Sequence, residues 1–135
     1  MKILIAPDSF KDSLSSAEVA RHINKGIKNI LPGIKTIIVP LADGGEGSLD
    51  ILIQALEGSK ITTQALDPLL RPISSCYGWI SSSKTVIIEM AKASGIQLIS
   101  PDERNPLFTS SYGTGQLINQ ALANHQCNRM VVCIG

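Results

Sequence analysis

Aromatic residues are scarce in this chain. One Trp, two Tyr and two Phe make up 4% of its 135 residues, so any core must be aliphatic. Charge is thin as well, at 17% against about 25% in ordinary soluble domains, which points to surface that is covered in the native molecule. The net charge is +1, and Lys and Arg nowhere form a run, so the clustered basic footprint of a nucleic-acid-binding domain is missing. Cys76, Cys127 and Cys133 are odd in number and lack C-x-x-C spacing, which argues against a disulfide framework or a zinc site. His125 and Cys127 read as a helix-end and a loop residue rather than as a metal pair. No apolar run approaches the ~18 residues of a membrane helix. Pro7 and Asp8 cut the apolar start short of the ~7–15 residues of a signal-peptide core. The expectation is a cytoplasmic protein with no membrane partner.

What is present is α/β patterning, in a length that fits one domain of about 100–200 residues. Residues 2–6 are a short apolar run ending at Pro-Asp-Ser, which predicts a fully buried strand. Ser15 and Glu18 have the S-x-x-E spacing of a capping box. Val19, Ile23, Ile27 and Ile30 then recur at helical steps, and Pro32-Gly33 ends the helix. Residues 36–39 predict a second buried strand. A second amphipathic helix runs to Leu56, with Leu49, Leu52, Ile53 and Leu56 inward and Gly58 as its stop. Residues 61–66, 73–80 and 85–90 are β-rich runs with no helix between them, and the Ser81-Ser82-Ser83 link is short enough for a hairpin. A short helix through about residue 123 (apolar face Leu117, Ile118, Ala121 and Leu122) and a buried strand at 130–134 complete the pattern. The fold class is α/β with a mixed sheet. A parallel strand–helix–strand–helix start covers about 1–60, and an antiparallel β-rich block with its following helix covers about 61–135.

In open α/β sheets ligands bind beyond the carboxyl ends of the strands. Two loops have that position, one with Asp8, Ser9 and Lys11, the other with Asp43, Gly44, Gly45, Glu46 and Gly47. If their strands are neighbours, Asp8 and Asp43 share one crevice with Lys11 and Glu46. Phosphoryl transfer needs such a set: a cation to spread phosphoryl charge, and a carboxylate to hold Mg²⁺ or take the acceptor's proton. The glycines at 44–47 would let amides at a helix start approach an anion, although no Lys precedes Ser48 as in a Walker loop. The alternative is that Asp8 and Asp43 are simply turn residues. Gly113, Thr114 and Gly115 lack the third glycine of a dinucleotide fingerprint; they start a helix whose free amides are a candidate anion site. Arg71 and Arg104 lie in loops and have the charge to grip a carboxylate.

Four stretches resemble the glycerate kinase family that includes the bacterial enzymes making 2-phosphoglycerate: KILIAPDSFKDSLS at 2–15, LADGGEGS at 41–48, KTVIIEMAKASGI at 84–96 and RNPLFTSSYGTGQLI at 104–118. APDSFK followed by ADGGEG is a specific combination. The resemblance implies a two-lobed α/β kinase of D-glycerate that uses ATP and Mg²⁺ in a cleft between lobes. It implies Asp8, Lys11 and Asp43 as catalytic, with Asp8 or Asp43 on the metal, and Ser9, Gly44, Gly45 and Glu46 on the substrate side, where the loop position and charge of Arg71 add that residue as a candidate. The family pattern has glycines where this chain has Asp67 and Leu70, and Gly-Asp-Gly where it has Ser81-Ser82-Ser83, so strained or reshaped turns are expected there. Family members also continue beyond Val-Val-Cys-Ile-Gly with a glycine-rich loop and a long remainder. The chain is therefore expected to be a partial, N-terminal copy of the fold, inactive alone and completed by a C-terminal chain. The competing reading is a non-catalytic module that keeps the hydroxy-acid side of the cleft and binds a small molecule or a partner.

Overall fold

The structure, a computed structural model, describes residues 1–10 and 13–135. Two compact units result, Met1–Asp43 and Gly44–Gly135. The division falls at 43/44 rather than near 60 because the second helix packs on strands of the later sheet.

The first unit is a βαβ element. Strand β1 (Lys2–Ile5) and strand β2 (Lys35–Ile38) pair in parallel, Lys2 opposite Lys35 and Ile5 opposite Ile38, joined through helix α1 (Ser16–Ile30). The capping box forms: Glu18 N–H donates to Ser15 Oγ at 3.3 Å, and Ser15 N–H donates back to Glu18 Oε2 at 2.9 Å. The apolar stripe is buried only in its first turns, at Val19 and Ala20, whereas Ile23 and Ile30 are exposed. Nor are the strands fully buried as the apolar runs predicted. Of their residues only Ile5 is buried, and Leu4, Ile37 and Ile38 are exposed. A two-stranded sheet with one helix packed on it covers too little of its own surface.

The second unit is a four-stranded mixed sheet in the order β3-β4-β5-β6. Strands β3 (Ser59–Leu66), β4 (Pro72–Ile80) and β5 (Thr85–Glu89) are antiparallel neighbours, and β6 (Arg129–Cys133) runs parallel to β5. Side chains alternate across a strand, so β5 feeds two cores. Val86 and Ile88 join Tyr77, Ala65, Leu117 and Ala121 on the face covered by helix α4 (Tyr112–Asn124). Ile87 joins Leu49, Ile80 and Cys133 on the face covered by helix α2 (Ser48–Ala55). Every residue of β5 is buried, the pattern of a central strand with both faces covered. The edge strand β6 is not the buried strand its sequence predicts, since Val131 and Val132 are exposed.

Helix ends differ from expectation in two places. Leu56 is exposed beyond the end of α2, and the left-handed residue that turns the chain is Glu57, φ +53°, not Gly58. Leu122 on α4 also faces out. The connection from β5 to α4 carries the short helix α3 (Ala91–Ser94) and 3₁₀ turns at Ile96–Leu98 and Pro101–Glu103.

The turn between β3 and β4 concentrates its strain in one residue. Asp67 is unstrained, but Leu70 has φ +62°, where a Cβ costs roughly 1–2 kcal/mol. In the next turn the positive φ falls on Lys84, +50°, and not on the three serines. Leu70 is 55% exposed, so little burial is lost on removing it. Leu70→Gly is expected to stabilise the protein by about 0.5–1 kcal/mol, read as a higher urea midpoint at unchanged m value; an unchanged or lower midpoint would remove strain from the account.

Candidate functional site

Parallel pairing of β1 and β2 continues past the strand ends. Val39 N–H donates to Ile5 O at 2.8 Å and Leu41 N–H donates to Pro7 O at 2.9 Å. The segments carrying Asp8 and Asp43 therefore leave the carboxyl edge side by side. Asp8 is exposed, and its Oδ1 accepts from Ser9 N–H at 2.6 Å. Lys11 lies outside the described residues. Among those described, no group of three or more His, Cys, Asp and Glu comes together. That is no obstacle to Mg²⁺, which commonly takes one or two carboxylates and fills its remaining positions with water and substrate phosphates.

Gly44, Gly45 and Glu46 belong to the second unit, where they lead into α2. The N-cap of α2 is Gly47, φ +88°, a left-handed position without a side chain to cap the helix. The cap comes from elsewhere. Glu89, wholly buried at the end of β5, accepts Gly47 N–H on Oε1 at 3.1 Å and Leu49 N–H on Oε2 at 2.8 Å. The anion expected at this helix start is thus the protein's own carboxylate, and these two amides are not open to a phosphate. Lys92 Nζ stands 3.6 Å from Glu89 and 4.0 Å from Asp50, which also pairs with Lys60. Asp50 beside its ammonium holds Lys60 above the ordinary lysine range. Neither Glu89 nor Lys92 is singled out by motif reasoning. The available signal is a carboxylate closing the otherwise apolar run Thr-Val-Ile-Ile-Glu.

Arg71, a substrate-side candidate, is engaged with two carboxylates. Its Nε donates to Asp67 Oδ2 at 2.6 Å and its NH1 to Glu103 Oε1 at 2.8 Å. Burial pushes the Asp67 carboxyl up. The Arg71 amide and guanidinium and the Leu69 amide outweigh this, so Asp67 sits below the usual carboxylate range. Glu103 also closes a second capping box, accepting from Ser100 N–H at 3.1 Å and Ser100 O–H at 3.0 Å. Ser100 and Glu103 repeat the S-x-x-E spacing of Ser15 and Glu18, the sequence signal that marks this turn. Together these bonds lock the 67–71 turn to the 100–104 turn. Ser110 N–H adds a tie to Pro68 O at 2.9 Å.

Between the locked turns lies a cavity of ≈ 400 Å³ just past the carboxyl end of β5. Pro68, Met90 and Ile99 give it an apolar wall; Arg104, Asn105 and Ser110 are among its polar groups. Gly113 and Thr114, candidates for an anion site, have other contacts. A Cβ on Gly113 would overlap the Leu66 carbonyl, so glycine lets α4 lie against β3. Thr114 Oγ1 is bonded to Ser94 Oγ at 2.6 Å and is buried. Gly115 is exposed. Away from this region, His125 stacks on Trp79 at 4.3 Å and lies 3.1 Å from the Tyr77 hydroxyl. No helix among the described residues is long and apolar enough to cross a membrane.

A βαβ unit with two acidic loops at its carboxyl edge, together with a mixed α/β/α sheet unit, defines the class. The glycerate kinase family model matches residues 3–135, and the chain belongs to that family. It is 48% identical over 122 residues to the glycerate kinase of Haemophilus influenzae, covering 90% of this chain and 32% of that protein. To the glycerate kinase of Bacillus subtilis and the glycerate 2-kinase of Escherichia coli it is 44% identical over 135 residues, covering 100% of this chain and 35% of each. The crystal structure of glycerate kinase 2 from Salmonella typhimurium LT2 superposes with a TM-score of 0.72 at 40% identity, over 100% of this chain and 36% of that one. The chain spans about a third of the length of these relatives.

Two outcomes test the geometry of the second unit. Glu89→Ala is expected to cost about 1–3 kcal/mol, because two first-turn amides lose a charged acceptor and Lys92 its partner. Glu89→Gln, which keeps one acceptor oxygen, should cost less. Equal urea midpoints for wild type and Glu89→Ala would remove the capping role.

The Asp67 carboxyl is depressed in the folded state, so its contribution is present above the unfolded value of about 3.9 and is lost as pH falls through the folded value. Asp67→Asn should therefore be less stable than wild type at pH 7, with the gap narrowing below about pH 4. A gap that stays constant from neutral to acid pH would show that charge plays no part.

Proposed function

We propose that these residues are the N-terminal, acceptor-side part of an ATP- and Mg²⁺-dependent kinase that phosphorylates a hydroxyl of D-glycerate. The observation that carries the reading is the family match across residues 3–135, with relatives named glycerate kinase at 44–48% identity. The paired strand-end segments support it. Oxygen donors from Asp8 or Asp43 suit a hard cation, and bound Mg²⁺ would offset charge on the nucleotide phosphates. In this reading the other carboxylate accepts the proton released when the glycerate hydroxyl attacks the γ-phosphoryl group, with ADP leaving. Lys11 supplies a cation for the equatorial oxygens of the transferred group. Ser9 and the 44–46 backbone serve the acceptor, and a complementing C-terminal chain supplies the remaining groups. Holding both reactants in line accounts for most of such catalysis, so the chain alone is expected to turn over nothing. The second reading, a binding module without catalysis, is favoured by one observation: the cavity is built wholly from residues 68–111.

The test joins residues 1–135 to the remaining two-thirds of the Bacillus subtilis relative and follows ADP release with D-glycerate. Turnover should appear in the chimera and fall about 100-fold or more in Lys11→Ala. Of Asp8→Asn and Asp43→Asn, one should chiefly raise the Mg²⁺ requirement. A folded chimera without activity would sink the kinase reading, and unchanged Mg²⁺ dependence in both variants would remove the metal role.

A further inference from the structure

The cavity beyond β5 has a lining with one sign of charge. Among the described residues Arg104 is the single ionisable side chain that lines it, and no Asp or Glu does. Arg71, one turn away, bridges two carboxylates, but Arg104 makes no ion pair or side-chain hydrogen bond among the described residues. The neighbouring polar groups have their acceptor oxygens engaged and hydrogens left over. Asn105 Oδ1 accepts from Leu107 N–H at 3.0 Å, leaving its amide NH₂ to donate. Ser110 Oγ accepts from Tyr112 N–H at 3.1 Å, leaving its own O–H. A guanidinium, an amide NH₂ and hydroxyls beside an apolar wall form a donor set for an oxyanion on a small organic body. The volume falls within the range of small-molecule sites, about 300–1,000 Å³.

Position and rigidity agree with that chemistry. The cavity lies just past the carboxyl end of β5, the end of the strands at which open α/β sheets bind ligands. Its two sides are fixed by the Asp67–Arg71–Glu103–Ser100 bonds and by Ser110 on Pro68. The turn bearing Arg104 is therefore held before any ligand arrives, which lowers the ordering cost of binding. Among the described lining residues there is one guanidinium and no lysine, a set that matches a monoanion better than a polyphosphate, which draws on several cations.

We infer that this cavity binds the carboxylate of a small hydroxy acid, with Arg104 as its anchor and Arg71 as the positioning residue behind it. The assignment rests on the glycerate kinase reading for the identity of the acid. Residues 1–135 are titrated with D-glycerate while amide shifts are recorded, with parallel titrations of glycerol, inorganic phosphate and ATP. D-glycerate should move the amides of Ser94, Asn105, Ser110 and Ser111, and glycerol, which lacks the carboxylate, should not. Arg104→Gln should weaken binding about ten-fold or more, and Arg104→Lys should keep part of it. Equal affinity in Arg104→Gln, equal shifts with glycerol, shifts with phosphate or ATP but not D-glycerate, or no shifts with any probe would each overturn the assignment. The chimera separates this failure from that of the kinase reading. Turnover with an unaltered KM for D-glycerate in Arg104→Gln defeats the cavity assignment alone. Arg104-dependent binding in a chain whose chimera is inactive defeats the kinase reading alone.

Discussion

The second unit is organised around one buried carboxylate. Glu89 ends the strand that both helical layers cover, and its two oxygens hold the first-turn amides of α2. A buried carboxylate without partners would be strongly disfavoured; here two amides and Lys92 compensate it. The same bonds substitute for the cap that Gly47 cannot provide. Leu49 is thereby placed on Ile87 and Ile80, and the glycine-rich segment 44–47 takes the path that this anchoring demands. The segment's sequence resembles a phosphate loop, but its geometry serves an internal anion.

Charge is used in a similar way at the far side of the sheet. Asp67, Arg71 and Glu103 tie two turns that are distant in sequence, and each carboxylate also accepts N–H or O–H bonds within its own turn. The result is a rigid frame around a cavity whose Arg104 guanidinium has no ion pair among the described residues. A frame built from hydrogen-bonded charges resists deformation more than one built from loose loop contacts, and binding sites depend on such support. Burial pushes the Cys76 and Cys133 thiols up, and both pack with Leu49, Ile80 and Ile87 under α2.

The thin charge of the sequence has its counterpart in exposed aliphatic side chains, among them Leu4, Ile37, Ile38, Ile30 and Ile134. In the first unit Leu4 and Ile37 are exposed register partners, and exposed apolar patches mark surfaces that meet other protein. The Bacillus subtilis and Escherichia coli relatives are about three times longer than this chain, and that is the physical setting in which the proposed acceptor-side loops would work.

Local order was legible in the sequence. Short apolar and β-rich runs located the strands, the S-x-x-E spacing located the start of α1, and the lack of a helix between the runs from 61 to 90 marked the antiparallel block. These features depend on neighbours a few residues apart, whose chemistry the sequence displays directly. The Asp8 and Asp43 loops were legible for the same reason, as punctuation after strands. Depth of burial was not, because a strand such as β1 and one such as β5 read alike while only β5 has helices on both faces. Nor were the bonds that give the second unit its frame. Glu89 meets Gly47 and Leu49 across some forty residues, and Arg71 meets Glu103 across thirty-two. Such pairings exist only once the sheet has set its strand order, so the tertiary structure alone decided that Arg71 is committed and Arg104 is available.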